Sequence, residues 1–424
     1  MLRLLQWLVR HDWLLRLLSP AIGLFNPFLS ANRRDPYPAY ARVREAGGLY
    51  RAPLGLYVAS RYADVSALLR DPRFSADRSQ AAPFRLIRWM NRDAPDFLNL
   101  IDRNLLNLDG ADHARIRGAV NRAFTPRRVA ALRPRIEAIV EELLDAAAAR
   151  RDFELVRDLA HPLPVIVIAE LLGIPASDRA QFRHWSNGVV QIIDPLNAER
   201  GMARARESAA ALAGYFRGML ALRRAEPRDD LLSAMLAAEG GGAAPDERAL
   251  GEAELLSLCT LLLAAGHETT TNLVANAVLA LLRFPDQAER LRSEPALMPT
   301  AVEEFLRFDS PVQFTDRVAR EDLDWGGHRI GRGRPVALLL GAANHDPAQF
   351  VAPHRLDVGR ADNRHLAFGA GPHFCLGAPL ARLEAELALG ALLRRFPKLA
   401  GDPSAVTYRP SVLLRGPIAL PLQG

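Results

Sequence analysis

The sequence predicts a mainly α protein: a single large helical domain with a small β-rich lobe. Three observations carry that expectation. Helix-period apolar faces recur along most of the 424 residues. Strand-like runs are short and sit near the start and towards the end. One stretch, from about Glu252 to Arg283, is apolar on nearly every face, so a helix there must run through the interior. No internal repeat or low-complexity linker divides the chain. Residues 31–424 are therefore expected as one domain, behind an N-terminal extension of residues 1–30.

Taken in order, residues 1–29 are rich in Leu and Trp, but Arg3, Arg10, Asp12 and Arg16 interrupt the apolar run. No stretch reaches the roughly 18 uncharged residues that a spanning helix needs. A small-residue cleavage site is also missing, which argues against a signal peptide. Pro20 and Pro27 are expected to end any helix early. Two readings stand: an amphipathic helix touching a membrane surface or a partner, or a helix packed on the globule. Residues 49–60 read as a strand pair turning at Gly55, and Arg61–Leu69 returns to helical spacing. Residues 76–106, with Pro83, Trp89, Pro95 and Phe97, read as a long irregular connection of the kind that serves as a lid or binding loop. Helices resume near Asp112, break near Thr125 and Arg133, and continue over 134–150, 162–173 and 203–224. Asp194-Pro195 and the glycines at 240–242 with Pro245 mark loops.

Composition narrows the function. The formal charge is +6, with 49% hydrophobic and 24% charged residues, an ordinary globular balance. Arg is dispersed with no basic tract, so no nucleic-acid partner is expected; a basic patch suits an acidic protein partner. Two cysteines, Cys259 and Cys375, make no disulfide framework and fit a reducing cytoplasm. They are too few for a four-cysteine iron–sulfur cluster.

The apolar helix at 252–283 has a polar centre: Gly266-His267-Glu268-Thr269-Thr270-Thr271-Asn272. Burying a Glu and several hydroxyls costs a few kcal/mol unless each finds partners. Thr hydroxyls also compete with the helix ladder. A helix made only for packing would carry neither, so this centre reads as a site. His267-Glu268 begins a zinc-hydrolase-like string, but its fifth residue is Thr271 rather than His, so that reading is rejected. The second site signal is Phe368-Gly369-Ala370-Gly371-Pro372-His373-Phe374-Cys375-Leu376-Gly377. Two glycines and a proline force a tight loop, and Cys375 sits at the mouth of a helix continuing through Leu380. Free amides at a helix N-terminus stabilise a thiolate, the metal-binding form of cysteine.

At every defined position that string resembles the haem-binding signature of the cytochrome P450 family, Phe-Gly-x-Gly-x-His-x-Cys-x-Gly. The resemblance extends along most of the chain. Ala265-Gly266-x-Glu268-Thr269 is similar to the family's oxygen-activation motif, Glu304-x-x-Arg307 to its Glu-x-x-Arg pair, and the segment ending in Arg360 to its arginine-bearing meander. The resemblance implies the P450 fold, with haem b between the long central helix and the Cys loop and Cys375 as iron ligand. Phe368, Gly369 and Gly377 of the loop would bind the haem with it, and Glu304, Arg307 and Arg360 would be structural. It implies that Glu268 and Thr269 relay protons during dioxygen activation. His113, Arg117, Arg317 and His373 would meet the haem propionates. Ala264, Ala265, Val312, Phe314 and Leu413 would line a pocket for a lipophilic substrate.

The implied activity is insertion of one oxygen atom from O2 as a hydroxylation or epoxidation. Electrons would come from NAD(P)H through a separate ferredoxin and ferredoxin reductase. A cytoplasmic monomer, with weak membrane-surface contact through residues 1–29, completes the expectation. A peroxide-driven peroxygenase has less need of the Glu268–Thr269 pair. A non-catalytic haem sensor or lipid carrier would bind without turnover.

Overall fold

The computed structural model describes residues 11–53, 55–80, 82–150, 153–190, 200–237 and 249–423. Residues 1–10, the segment at 191–199 with Asp194-Pro195, and the glycine run at 240–242 lie outside them. The fold is mainly α with a few small sheets. The chain forms two compact units: Met1–Phe74 with Arg133–Pro164 and Glu268–Gly424, and Ser75–Leu132 with Val165–His267.

The first unit holds the β structure. Strands β1 (Leu49–Arg51) and β2 (Tyr57–Ala59) pair antiparallel with Tyr50 opposite Val58. Gly55, at φ +81°, makes the reversal between them, a conformation that suits a residue without Cβ. Three more strands join: β3 (Phe74–Ser75), β5 (Thr315–Ala319) and β8 (Pro335–Leu338), in the order β1-β2-β8-β5-β3. A second pair, β4 (Phe153–Glu154) and β9 (Pro421–Leu422), is antiparallel, as are β6 (Leu323–Trp325) and β7 (His328–Ile330). The sheet is held from one side by Leu49, Tyr57, Val65, Leu68, Phe74, Val336 and Leu338, all buried. That apolar cluster, rather than the few ladder bonds, is what stabilises strands this short. Helices Arg133–Ala148 and Met298–Phe308 both pack on helix Ala378–Arg395.

Helix Asp12–Ile22 opens the described chain and runs through Pro20 rather than stopping before it. In the last turn a proline removes only one ladder bond, so the cost stays small. Leu15 is buried beneath it, and Asn26 donates to the carbonyl of Leu15. Trp13, Leu17 and Leu18 face outward.

The second unit is helical. Arg179–Val190 lies against Arg200–Ala225, and Phe97, Phe182 and Phe216 are almost wholly buried in it. The expected irregular connection at 76–106 is instead built around two short helices, Ala82–Met90 and Pro95–Asp102. Pro95 stands in the first turn, where its missing N–H is harmless. Phe97, Leu100 and Ile101 then give the i, i+3, i+4 apolar face. Reading proline only as a breaker hid this helix.

The expected long helix spans Glu252–Arg283. Pro126 likewise starts a helix, with the Thr125 hydroxyl accepting from the amide of Arg128, the N-cap bond that such a start requires. No helix among the described residues is long and apolar enough to cross a membrane.

Candidate active site

Of the two cysteines, Cys259 is fully buried within the long helix, and burial pushes its thiol well above the usual range. It is an inert core residue. Cys375 is half-buried on a loop. That loop is shaped by Gly369 and Gly371, both at φ +70°. A Cβ on Gly371 would come within 2.9 Å of the Leu69 carbonyl oxygen, so only glycine closes the turn. The amide of Leu366 donates to Asn344 Oδ1 at 2.7 Å and the amide of Cys375 to the Phe368 carbonyl at 2.9 Å. The loop is thus pinned at both ends. Gly377 caps helix Ala378–Arg395 two residues after Cys375, and a Cβ on Gly377 would lie 4.0 Å from Cys375 Sγ. The sulfur therefore sits beside a helix N-terminus, where a negative charge is favoured.

Charge around the loop is ordered. Arg382 forms a bidentate pair with Glu303 at 2.6 and 2.8 Å, and its guanidinium stacks 4.7 Å from the Phe368 ring centroid. Its basicity is raised first by the bond to Glu303 and further by Cys375. Burial alone would push the Glu303 carboxyl up, but bonds from Arg382 and His365 outweigh it and hold the group at about 2. None of these three partners carries a motif in the sequence.

Glu304 and Arg307 are both fully buried and joined at 2.7 and 2.8 Å. Arg360 and the amide of Asp357 each donate to Glu304 at 3.0 Å, and Asn363 donates at 3.1 Å. Arg307 also donates to the carbonyls of Asn344 and Pro353. Every lone pair of the carboxylate is used, which a buried ion pair needs to offset its desolvation. This cluster ties Met298–Phe308 to the 344–363 segment and so frames the approach to the Cys loop.

The long helix stays α-helical across its polar centre. Glu268 and Thr270 are buried, while Leu261, Leu262, Ala265, Gly266 and Thr269 form a stripe that remains accessible inside an otherwise buried helix. An i, i+4, i+8 stripe open in mid-helix is the face a bound group would cover. On the other side Thr270 hydrogen-bonds to Glu384 of the Cys helix, a completely buried carboxyl that burial pushes up to about 8. Glu268 accepts from Arg409 Nη1 at 3.0 Å. Neither Glu384 nor Arg409 was marked by the sequence reading.

The other expected residues divide between the units. In the first, Arg317 lies on β5, buried, and donates to its neighbour's carbonyl at 2.8 Å. His373 sits in a 3-10 turn of the Cys loop. Val312 pairs with Leu414, the amide of Gln313 donates to the Leu413 carbonyl, and Phe314 is half-buried beside them. In the second, His113 is buried and Arg117 half-buried on helix Gly110–Ala123. Asp109 fixes the start of that helix by accepting from Ser75 and the amide of Ala76. Ala264 and Ala265 precede Glu268 on the long helix.

These donors fit a haem. In the first unit a thiol beside a helix N-terminus is a suitable metal ligand, and buried Arg317 is the cation type that propionates require.

Comparison with known proteins gives a consistent picture. Residues 88–415 match the Cytochrome P450 family. The chain is 43% identical over 405 residues to Cytochrome P450 107B1 of Saccharopolyspora erythraea, covering 93% of this chain and 96% of that one. It is 40% identical over 397 residues to the Vitamin D(3) 25-hydroxylase of Pseudonocardia autotrophica, covering 92% and 94%. Its structure is similar to that of the bacillaene polyketide synthase P450 PksS of Bacillus subtilis 168, with a TM-score of 0.85 and 37% identity, over 94% of this chain and 99% of that one.

Proposed function

Because the chain belongs to the cytochrome P450 family, we propose that Cys375 is the thiolate ligand of its haem and that Glu268 and Thr269 are its proton relay. Membership makes the protein a monooxygenase that uses haem b and receives electrons from separate redox partners. The bound haem would supply dioxygen activation, with the thiolate favouring O–O cleavage. What the chain's own residues contribute is binding, orientation and proton supply.

One observation carries the reading: Cys375 is a half-buried thiol at a helix N-terminus, inside a loop only glycine can close. Arg382, paired with Glu303 and stacked on the Phe368 ring, places a cation at the loop, which suits a thiolate there. His113, Arg117, Arg317 and His373 would neutralise the propionates, with Phe368, Gly369 and Gly377 giving the loop its shape. Thr269 would orient a proton donor on the accessible stripe, and Glu268 would feed it. Glu304, Arg307 and Arg360 are positioning groups that keep the 344–363 segment in place.

The lipophilic substrate class is supported by the mostly apolar residues at Ala264, Ala265, Val312, Phe314 and Leu413 and by the vitamin D(3) hydroxylase relative. A ferredoxin with its reductase is the proposed donor pair. The support is the chain's net positive charge, which suits an acidic carrier. A cytoplasmic monomer, built from residues 31–424 as one domain, is proposed with it. The outward Trp13, Leu17 and Leu18 support peripheral contact with a membrane surface.

The test is Cys375→Ser. The wild type should show the thiolate-type absorption of the reduced carbon monoxide complex, and the variant should lose it while binding haem. Retention of that band by the variant overturns the ligand assignment.

A further inference from the structure

A cleft of about 670 Å³ opens in the first unit. None of the residues assigned to haem, dioxygen or substrate lines it. Arg283 ends the long helix there, Phe308 ends helix Met298–Phe308, Tyr37 begins helix Tyr37–Glu45, and residues 403–408 complete the wall. The apolar lining comes from Tyr37, Pro38, Phe308, Pro403, Val406 and Tyr408. An inorganic ion would leave most of this space empty. The volume and the aromatic walls are those of a site for an organic molecule.

The polar lining holds donors that the protein leaves unspent. The Arg415 side chain is 6% exposed, and its guanidinium lies 4.0 Å from the Tyr408 ring centroid and 5.7 Å from that of Tyr37. Its Nε donates to Asp309, and its Nη1 to the carbonyls of Arg33 and Arg34. Nη2 has no acceptor among the described residues. A guanidinium this deeply buried ordinarily has its donors answered. The Tyr408 hydroxyl accepts from Arg283 Nη2 at 3.3 Å, and its own proton has no acceptor among the described residues. Burial and then Asp309 raise that phenol, so it keeps the proton. Arg34 and Arg283 are exposed at the rim, and neither meets a carboxylate among the described residues.

The groups that would repel an anion are already engaged. Asp309 accepts from Arg415 at 2.6 Å and from the Tyr37 hydroxyl at 2.8 Å. The Phe308 carbonyl, at the negative end of its helix, accepts from His345 Nε2 at 2.8 Å. A carbonyl only accepts, so His345 carries its proton on Nε2, and its Nδ1 accepts from His354 Nδ1 at 3.1 Å. His354 is thereby held with its Nε2 turned away from His345. Asp35 is the remaining carboxylate of the lining, exposed at the rim and accepting from the Tyr37 amide at 3.3 Å. Three guanidiniums thus face two carboxylates, and one of the two is fully occupied.

We propose that this cleft is a second ligand site, one that takes an organic anion. The apolar or aromatic body lies against Tyr37, Phe308 and Tyr408. The oxyanion head, a carboxylate or phosphate, meets Arg415, the Tyr408 hydroxyl and Arg283. Guanidiniums suit such heads because their parallel N–H groups match the spacing of two oxygens. The phenol adds a donor that stays neutral, so the head is held without a further buried charge. A ligand here touches the ends of two helices and the start of a third, and its binding stabilises the folded chain.

The experiment uses full-length, haem-loaded protein with a tight azole inhibitor on the iron, so that the haem pocket is filled before the probe is added. Calorimetric titration with 2-naphthoate should then still show binding. 2-Naphthylmethanol keeps the rings and loses the charge, and should bind about tenfold more weakly or worse. Inorganic phosphate should compete only at far higher concentration, because it lacks the apolar body. Tyr408→Phe removes one hydroxyl and should weaken 2-naphthoate about three- to tenfold. Arg34→Gln combined with Arg283→Gln should weaken it about tenfold or more. Arg329→Gln, at an exposed arginine outside the cleft, should change nothing. An unchanged carbon monoxide spectrum shows that each variant is folded. The proposal is overturned if the azole-loaded wild type takes up no 2-naphthoate, if the neutral alcohol binds as tightly, or if the rim variants bind like Arg329→Gln.

Discussion

Replacing Glu384 by Gln should flatten the dependence of stability on pH. Glu384 is completely buried, with its carboxyl raised to about 8 from an ordinary 4.5. In the unfolded chain it ionises near the ordinary value, whereas in the folded chain it keeps its proton until about pH 8. Its contribution is therefore fully present below pH 4.5 and is lost as pH rises towards 8. The shift of about 3.5 units corresponds to about 5 kcal/mol over the whole window, at 1.36 kcal/mol per unit. Between pH 6 and pH 9 about half of it, roughly 2–3 kcal/mol, should disappear. That is a large fraction of a net stability of about 5–15 kcal/mol. Glutamine has nearly the same shape, still accepts from Thr270 and does not titrate. Urea unfolding followed by circular dichroism at pH 6 and pH 9 reads the difference. Wild type should lose about 2–3 kcal/mol more than the variant between the two pH values, and all other titrating groups cancel in the comparison. Parallel losses would refute the claim that this carboxyl is buried in its neutral form.

Thr269→Ala should retain haem and the thiolate-type carbon monoxide spectrum while diverting reductant to hydrogen peroxide. Unchanged coupling of NAD(P)H to product would remove Thr269 from the relay. Glu304→Gln leaves the guanidiniums of Arg307 and Arg360 facing an amide in a fully buried setting, and should cost about 3–5 kcal/mol, seen as a lowered urea midpoint. Arg360→Gln should cost clearly less, because its side chain is 11% exposed and Arg307 stays with Glu304. Equal losses in the two variants would contradict the arrangement drawn around Glu304.

The long helix was legible because an all-round apolar pattern has one physical outcome. Its span follows the sequence pattern closely, from Glu252 to Arg283. The Cys loop was legible for a different reason: glycine and proline at fixed offsets specify a backbone. Glu304 and Arg307 were found as a pair, but their isolation from solvent was not, since burial depends on Asn344, Pro353 and Asp357 arriving from elsewhere. Arg409 gave no local signal. Its partner lies 141 residues away, and one arginine among many dispersed ones has no pattern to stand out from. Glu384 did leave a trace, a carboxyl four residues after Leu380 on the apolar face of its helix, which marks a buried acid. The helix at Pro95 was missed because the proline that begins it was taken as an interruption.

Glu268, Asn272 and Asn276 stand at i, i+4 and i+8 on the long helix and meet Arg409, Gly416 and the Arg415 carbonyl, and this row bears on how the polypeptide is made. During translation, residue 409 follows residue 268 by 141 positions, which at about 5–20 residues per second is roughly 7–28 s. For that interval the helix face has no turn to dock against. A row of aliphatic side chains would be sticky through the wait. An acid and two amides keep the strip wettable until the late-synthesised turn arrives to cover it.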